Sequence, residues 1–361
     1  MKNNIKIFLF SLLVGANIMT ILLMLATGYS DWLDPREHDI MSCAGMIFPF
    51  FIIANLLFIV VWVLLSWKRL LIPLIGFVLA YPAIRVYVPL HGKSEVPEKS
   101  LCVISYNVCT FGGNYKYEQA FDTIFSYIKK QQADIVCMQE DNHLQLKDYE
   151  RFFPYNDTTI VSEIKTIGYN TIGIHTRFPI LKKEVIDYPS RTNGSVAYFL
   201  LIDNDTVIVI NNHLESSHLS TADRDRYEEM IKGDMERHTA KAETVELAGK
   251  LSEAMAIRAE QADSVHSYVE RHRRYPIIVC GDFNDTPISY TRRRMAEGMT
   301  DCYVETGRGL GISFNRRGFY FRIDHMMCSD KFIPYACEID NEIDVSDHYP
   351  LICRLKMREK P

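Results

Sequence analysis

The chain lacks any C-x-x-C pair among its nine cysteines, which removes zinc-ribbon and thioredoxin-type sites. An odd cysteine count also argues against a complete disulfide framework. Cys102, Cys137, Cys280 and Cys353 lie inside apolar runs and read as small core residues. There is no internal repeat and no low-complexity tract. Positive charge is not in excess: 40 Lys and Arg stand against 45 Asp and Glu, a net charge of -5, so nothing overall signals a polyanion partner. What is abundant is apolar sequence. Of 361 residues, 48% are hydrophobic, enough for one large domain and a smaller unit. The long uncharged runs crowd into the first ninety positions.

Ile7 to Ala26 carries no charge and is long enough to cross a bilayer. A cleaved signal peptide is the competing reading, since Lys2 and Lys6 precede the run. Two further apolar runs argue against it: Met46 to Trp67, and Leu70 to Ile84, the latter interrupted by Pro73 and Pro82. The expectation is three transmembrane helices within a membrane anchor of residues 1–92. The first connection is acidic (Asp31, Asp34, Glu37, Asp39), whereas Lys2, Lys6, Lys68 and Arg69 flank the opposite ends. Positive charge stays inside, so three crossings put the rest of the chain outside the cytoplasm. Free thiols in such a compartment are unusual, although buried thiols are inert.

Residues 93–100 form a short polar linker, and a domain over residues 101–358 follows. Residues 100–361 hold 32 Lys and Arg against 39 Asp and Glu, a net charge of about -7. Strands are expected at Leu101 to Val108, Asp134 to Gln139, Thr171 to His175, Val196 to Ile202, Thr206 to Asn212, Ile277 to Cys280, Phe319 to Met327 and Pro350 to Leu355. Tyr117 to Gln131 reads as an amphipathic helix, with Phe121, Ile124, Phe125 and Ile128 on one face. A long helical segment at about 224–272 has an apolar stripe through Val245, Ala248, Leu251, Met255, Ala259, Ala262, Val265 and Val269.

Several expected strands end in residues suited to metal or phosphate chemistry. They are Ser105-Tyr106-Asn107, Met138-Gln139-Glu140, Asn211-Asn212-His213-Leu214, Gly281-Asp282-Phe283-Asn284-Asp285, Arg322-Ile323-Asp324-His325 and Ser346-Asp347-His348. Singly, each is an ordinary polar turn or a solvated side chain. Together they define a site. Glu140, Asn107 and Asp347 offer oxygen ligands, which select Mg²⁺, or Mn²⁺ or Ca²⁺, over zinc.

In this order the motifs resemble the endonuclease/exonuclease/phosphatase superfamily, whose fold is shared by deoxyribonuclease I, exonuclease III-type nucleases, neutral sphingomyelinases and inositol polyphosphate 5-phosphatases. The resemblance covers about Leu101 to Met357. It implies an α/β fold, a four-layered α/β sandwich of two mixed β-sheets flanked by helices, here preceded by the three transmembrane helices. It assigns Glu140 as principal metal ligand with Asn107 beside it. Asp282 orients or deprotonates the attacking water, and Asn284 holds water and phosphate in line. His348, fixed by Asp324, bonds a phosphate oxygen, and His213 stabilises the phosphate or the leaving oxygen. Asn211 braces its strand end. Asn193 lies where the 5-phosphatases carry an Asn-Lys-Gly turn, whose Lys is absent here, and is a candidate substrate contact. His325 departs from a Tyr found in many relatives. Gly307-x-Gly309-x-Gly311 reads as a loop with no dinucleotide context.

The expected activity is metal-dependent hydrolysis of a phosphate ester by activated water, on a small or lipid-borne substrate at the membrane. A nuclease of the same fold is the alternative, and a vestigial binding protein a third. The acidic net charge disfavours duplex DNA. The clusters Arg271-His272-Arg273-Arg274 and Arg292-Arg293-Arg294, which flank the Asp282 loop in sequence, argue the other way.

Overall fold

Alternating and β-branched apolar runs form two six-stranded sheets whose faces meet in the core of the domain. The computed structural model describes residues 2–112, 117–142, 145–164, 168–217, 223, 225–226, 229, 237–316 and 319–359. The strands are β1 (Leu101–Asn107), β2 (Ile135–Gln139), β3 (Tyr155–Ile164), β4 (Gly168–Thr176), β5 (Ile180–Ile186), β6 (Gly194–Ile202), β7 (Asp205–His213) and β8 (Ile277–Asp282). They continue with β9 (Thr300–Asp301), β10 (Phe314–Arg316), β11 (Phe319–Phe321), β12 (Asp324–Cys328), β13 (Phe332–Ile339) and β14 (Leu351–Met357). One sheet runs β13-β14-β1-β2-β4-β3 and the other β5-β6-β7-β8-β12-β9. Each is antiparallel except for one central parallel pair, β1 with β2 and β7 with β8. A parallel pair needs a crossover connection. Helix Tyr117–Lys130 lies within the first crossover and helix Arg237–Arg271 within the second. The domain is thus the expected sandwich of two mixed sheets flanked by helices.

Phe121, Ile124, Phe125 and Ile128 are buried against the outer face of the first sheet, as their spacing predicts. In the long helix Met255, Ala259, Ala262, Val265 and Val269 are buried, but Val245 is exposed, so the packed stripe begins after it. The expected start near Arg224 lies outside the described residues. The expected single strand Phe319 to Met327 is two strands: β11 pairs with β10 in a separate hairpin, and β12 pairs with β8. The break falls at Arg322, whose guanidinium is buried and donates to the carbonyls of Leu310 (2.7 Å) and Val86 (2.5 Å).

Three N-terminal helices, α1 (Lys2–Gly28), α2 (Phe48–Leu65) and α3 (Leu71–Tyr87), supply spans long and apolar enough to cross a membrane. Pro73 sits in the first turn of α3, where no intrahelical donor is needed, and Pro82 is accommodated inside the helix. Polar side chains join α1 to α2: Asn17 Nδ2 donates to Asn55 Oδ1 (3.1 Å), and Trp62 Nε1 donates to Asn17 Oδ1 (2.8 Å). The connection between α1 and α2 and the end of α3 lie on one side, against the sandwich. Arg36 pairs with Asp263 (2.8 Å), and Arg85 with Glu305 (2.7 Å). At Gly45 a Cβ would stand 2.1 Å from the Ile288 carbonyl oxygen.

Gly281 has φ +140°, and a Cβ there would stand 1.9 Å from the Asn212 carbonyl oxygen. Gly281→Ala therefore combines backbone strain with a clash against a neighbouring strand, and is expected to cost on the order of 3 kcal/mol. A thermal melt of the full-length protein should show a midpoint several degrees lower. An unchanged midpoint would mean that β7 and β8 are not in this close contact.

Candidate active site

The register of the second sheet brings three of the expected residues into one row. His213, the last residue of β7, pairs with Asp282 at the end of β8, and Asp282 pairs with Asp324 at the start of β12. Facing them, β1 ends at Asn107 and β2 at Gln139, with Glu140 next in the chain. The sheets are tied at this rim: Gln139 Nε2 donates to Asn211 Oδ1 (2.6 Å), and Asn211 Nδ2 donates to the carbonyls of Met138 (3.0 Å) and Gly173 (2.9 Å). Asn211 thus braces its strand end by bridging the two sheets.

Two residues reach the rim through left-handed backbone, Glu140 at φ 53° and Asn284 at φ 52°. This conformation is uncommon for non-glycine residues and clusters at functional turns. The turn at Asn284 lets its backbone N–H donate to Asp282 Oδ1 (2.8 Å) while its Nδ2 donates to the Leu214 carbonyl (2.9 Å). Asn107 Nδ2 donates to Asp282 Oδ2 (3.1 Å) and reaches Glu140 Oε1 at 3.4 Å, and its oxygen accepts from Cys109 N (3.0 Å). Here Asn107 therefore presents its amide nitrogen, not its oxygen, to the two carboxylates.

The loop before β14 carries Ser346-Asp347-His348. Ser346 Oγ donates to the Asn107 carbonyl (2.7 Å) and accepts from His348 N (3.2 Å), which locks the loop against β1. His348 Nδ1 meets Asp324 Oδ2 at 2.8 Å, and its Nε2 lies 3.6 Å from Asp282 Oδ2. Burial opposes a charge on this ring, yet Asp324 and Asp282 outweigh it and raise its pKa to about 10. His213 Nε2 lies 3.8 Å from both Glu140 Oε1 and Asp282 Oδ2. Its pKa is lowered by burial, with His348 adding to that and Asp282 opposing it. The site thus holds one cationic and one neutral imidazole.

Asp282 has its carboxyl pKa raised, first by burial and further by Asp324, while His348 and His213 pull it down. Glu140 is raised by desolvation and by Asp347, with His348 opposing. Among the described residues, ligand-type atoms of Asp282, Asp324 and His348 lie within 4.8 Å of one another. Both nitrogens of that imidazole face carboxylates, Nδ1 at hydrogen-bond distance from Asp324 and Nε2 at 3.6 Å from Asp282, so the trio is already joined through the ring. Glu140 and Asp347 are different: the two carboxylates line one cavity, and their donors are oxygens. That set fits a hard divalent cation.

Asn107, Glu140, His213, Asp282, Asn284, Asp347 and His348 line one cavity of about 190 Å³. Asp324 stands behind His348. Asn193 does not line the cavity. Its Nδ2 donates to the Leu214 carbonyl (2.6 Å), and its Oδ1 accepts from Asn170 Nδ2 (2.8 Å), which also reaches His213 Nδ1 at 3.3 Å. Asn193 thus sits behind His213. His325 faces away from the site: its Nε2 meets the Asp285 carbonyl (3.0 Å), and burial pushes its pKa down to about 4, so it is neutral.

Sequence reasoning missed Arg258. It is buried, lines the same cavity, and donates to Asp285 Oδ2 (3.3 Å) and the Glu215 carbonyl (2.9 Å). The signal was an arginine three residues after Met255 on the apolar stripe of the long helix. It also missed the hairpin phenylalanines, of which Phe314 packs edge-on against His348 at 5.1 Å. The second arginine cluster is consumed by the fold: Arg292 pairs with Asp301 (2.7 Å) and Arg294 with Asp263 (2.6 Å), while Arg293 donates to the Asp31 carbonyl (3.1 Å). In the first cluster Arg271, Arg273 and Arg274 are exposed, and Arg273 pairs with Glu270 (2.8 Å) at the surface.

Solved structures share the fold at low identity. A mannosyl-6-phosphatase from Bacteroides thetaiotaomicron is 18% identical with a TM-score of 0.52, over 72% of this chain and 100% of that one. The human Nocturnin catalytic domain is 15% identical with a TM-score of 0.52, over 73% and 97%. TDP2 of D. rerio, complexed with a single-strand DNA product, is 14% identical with a TM-score of 0.52, over 72% and 100%. No curated protein matches in sequence. A model of a domain of unknown function, DUF8431, matches residues 7–87. The model of the Endonuclease/Exonuclease/phosphatase family matches residues 104–348. With most of its length in that match and the site at the meeting strand ends, the chain belongs to the Endonuclease/Exonuclease/phosphatase family, hydrolases that act on phosphate esters.

Proposed function

We propose that this protein is a membrane-anchored, divalent-cation-dependent phosphoesterase whose catalytic domain, residues 101–358, faces away from the cytoplasm on an anchor of residues 1–92 and a linker of residues 93–100. The observation that carries the chemistry is the in-register row His213–Asp282–Asp324, set opposite Glu140 within one small cavity. Asp282 takes a proton from a water held beside it. Its two oxygens are fixed by the Asn284 N–H and by Asn107 Nδ2, and its raised pKa makes it a better base. Asn284 has its nitrogen committed to Leu214, so its amide oxygen is the acceptor that lines the water up with phosphorus. As the water oxygen bonds to phosphorus, the bond to the leaving oxygen breaks. The charged His348 donates to a phosphate oxygen, and the neutral His213 stabilises the leaving oxygen. Arg258, buried at the same cavity, is paired with Asp285 and holds the Glu215 carbonyl beside the site.

Glu140 and Asp347 would hold the cation, with Asn107 alongside; a Mg²⁺ there supplies a Lewis acid that neutralises charge on the phosphoryl group. Mn²⁺ or Ca²⁺ suits the same donors. The structures of shared fold include a mannosyl-6-phosphatase and a TDP2 complexed with a single-strand DNA product. A nuclease is therefore the second reading. The pairing of the Arg292–Arg294 cluster with acids favours a small or lipid-borne phosphate ester over duplex DNA.

Asp282→Asn should keep the fold and reduce turnover by about a thousandfold or more on the best phosphate ester. Activity within tenfold of wild type would sink the assignment of the base. Saturating Mg²⁺ should raise the melting midpoint of wild type, through about 2.7 kcal/mol of stabilisation at a hundred times its Kd. The same addition should leave Glu140→Gln nearly unmoved. A wild type indifferent to Mg²⁺, Mn²⁺ and Ca²⁺ would remove the cation site. For topology, the basic Lys68-Arg69 turn lies at the end of the helices away from the sandwich, which supports a cytoplasmic position for it. A reporter joined after residue 95 should be active only outside the cytoplasm, and cytoplasmic activity would reverse the orientation.

A further inference from the structure

The cavity that holds the site does not end at its polar residues. A second cavity of about 660 Å³, within the range of ligand pockets, lies between the start of α2 and the sandwich. Its wall is apolar: Phe50 and Ile53 come from α2, Leu247 and Leu251 from the long helix, and Phe319 and Phe321 from the β10–β11 hairpin. Leu251, Phe319, Phe321 and Met46 line both cavities, so the two spaces share a boundary. Phe319 and Phe321 line both spaces, and Tyr320 between them lines the apolar one as well.

At its other end the apolar cavity opens at the membrane helix. Phe50 and Ile53 are 68% and 56% exposed, on a span long and apolar enough to lie in a bilayer. Ile53 is five residues into α2 from Phe48, about 7 Å along the axis at 1.5 Å per residue. The lip of the cavity therefore lies on a helix apolar enough for a bilayer, while its inner end borders the polar cavity through Met46, Leu251, Phe319 and Phe321.

We infer that this cavity takes the hydrocarbon chain of a membrane lipid whose phosphate ester lies in the active site. The inference rests on the phosphoesterase reading and names its substrate class, a phosphate ester on an apolar chain. The physical need is plain. The site stands beyond the helix ends, so a lipid phosphate can reach it only by rising out of the bilayer. Each methylene drawn into water adds to the free-energy cost. An apolar path from the bilayer to the site cancels that cost, and its junction with the polar cavity fixes how far the phosphate advances.

The test uses the full-length protein in nanodiscs of a phosphate-free galactolipid, with Mg²⁺. The probes are methyl and octyl members of two series, alkyl monophosphates and 4-nitrophenyl alkyl phosphates. The readout is the octyl-to-methyl ratio of kcat/KM in wild type, Ala248→Trp and Ile312→Trp. Both substitutions fill the apolar cavity, from the long helix and from the sandwich respectively, and neither residue lines the polar one. Partition of octyl chains into the bilayer is common to all three proteins, so a change in ratio reports the cavity. The ratio should fall at least tenfold in both variants. An equal ratio in all three, with the methyl ester still cleaved, overturns the lipid path and leaves the phosphoesterase reading standing. Wild type that cleaves no member of either series overturns the parent reading and this one with it. A mutation-free check covers loss of folding in the variants: a photoreactive octadecyl phosphate should label peptides containing Phe50 or Leu247. Labelling confined to other parts of the chain overturns the path.

Discussion

The close approach of Gly281 to the Asn212 backbone is the contact on which the site's geometry depends. No side chain fits between these strands there, so β8 lies alongside β7 with Asp282 level with His213. The antiparallel pairing of β12 then brings Asp324 into the same row. Three residues from distant parts of the chain become neighbours because backbone hydrogen bonds fix them, not because their side chains attract. Two of the three are acids, and they would repel each other if the imidazole of His348 did not stand between them. The loop that carries His348 is in turn tied to β1 through Ser346. The charge network is thus assembled by the sheets and balanced by a loop from outside the second sheet.

The first sheet contributes through a matching arrangement. Each sheet has one central parallel pair, and the C-terminal ends of both pairs point to the same rim. The Gln139–Asn211 hydrogen bond crosses between the sheets directly beneath that rim, in full burial. A buried amide pair of this kind is costly when half satisfied. Here Asn211 is bonded at both ends, whereas Gln139 Oε1 is buried without a partner, and the pair ties the two sheets together. The distance between Glu140 and Asp282 depends on that tie, which makes an apparently structural asparagine part of what sets the site.

What was legible in the sequence follows from burial. The strands found by apolar patterning (β1, β2, β4, β6, β7, β8, β12 and β14) all lie inside their sheets. The edge strands β3, β5, β9 and β13 escaped notice. Edge strands face water along one side and carry the charges and prolines that blunt edge pairing. β5 reads Ile-Leu-Lys-Lys-Glu-Val-Ile, and β13 contains Pro334. The strand-end residues were legible because polar residues stop apolar runs abruptly there. Arg258 was not, because a charge in a helix is ordinarily solvent-facing and only its position on the packed stripe set it apart. Asn193 was matched by its place in a motif, but its amide is spent on Leu214 and Asn170, which no spacing could reveal.

The apolar N-terminal helices are built into the surroundings of the site. Arg322 binds the last carbonyls of α3 from within the sandwich, and it does so at the residue that separates the β10–β11 hairpin from β12. The end of α3 and the hairpin beside His348 are therefore fixed by one buried guanidinium. Burying that charge is expensive. Its cost is met by carbonyl partners and by the ring of Tyr303, 4.4 Å away. Gly45 packs so tightly on Ile288 that no Cβ fits between the α1–α2 connection and the segment that follows Asp282. A flexible tether would need neither contact. Two rigid joints on either side of the active site are what a fold requires if the bilayer surface itself forms part of the approach to the phosphate.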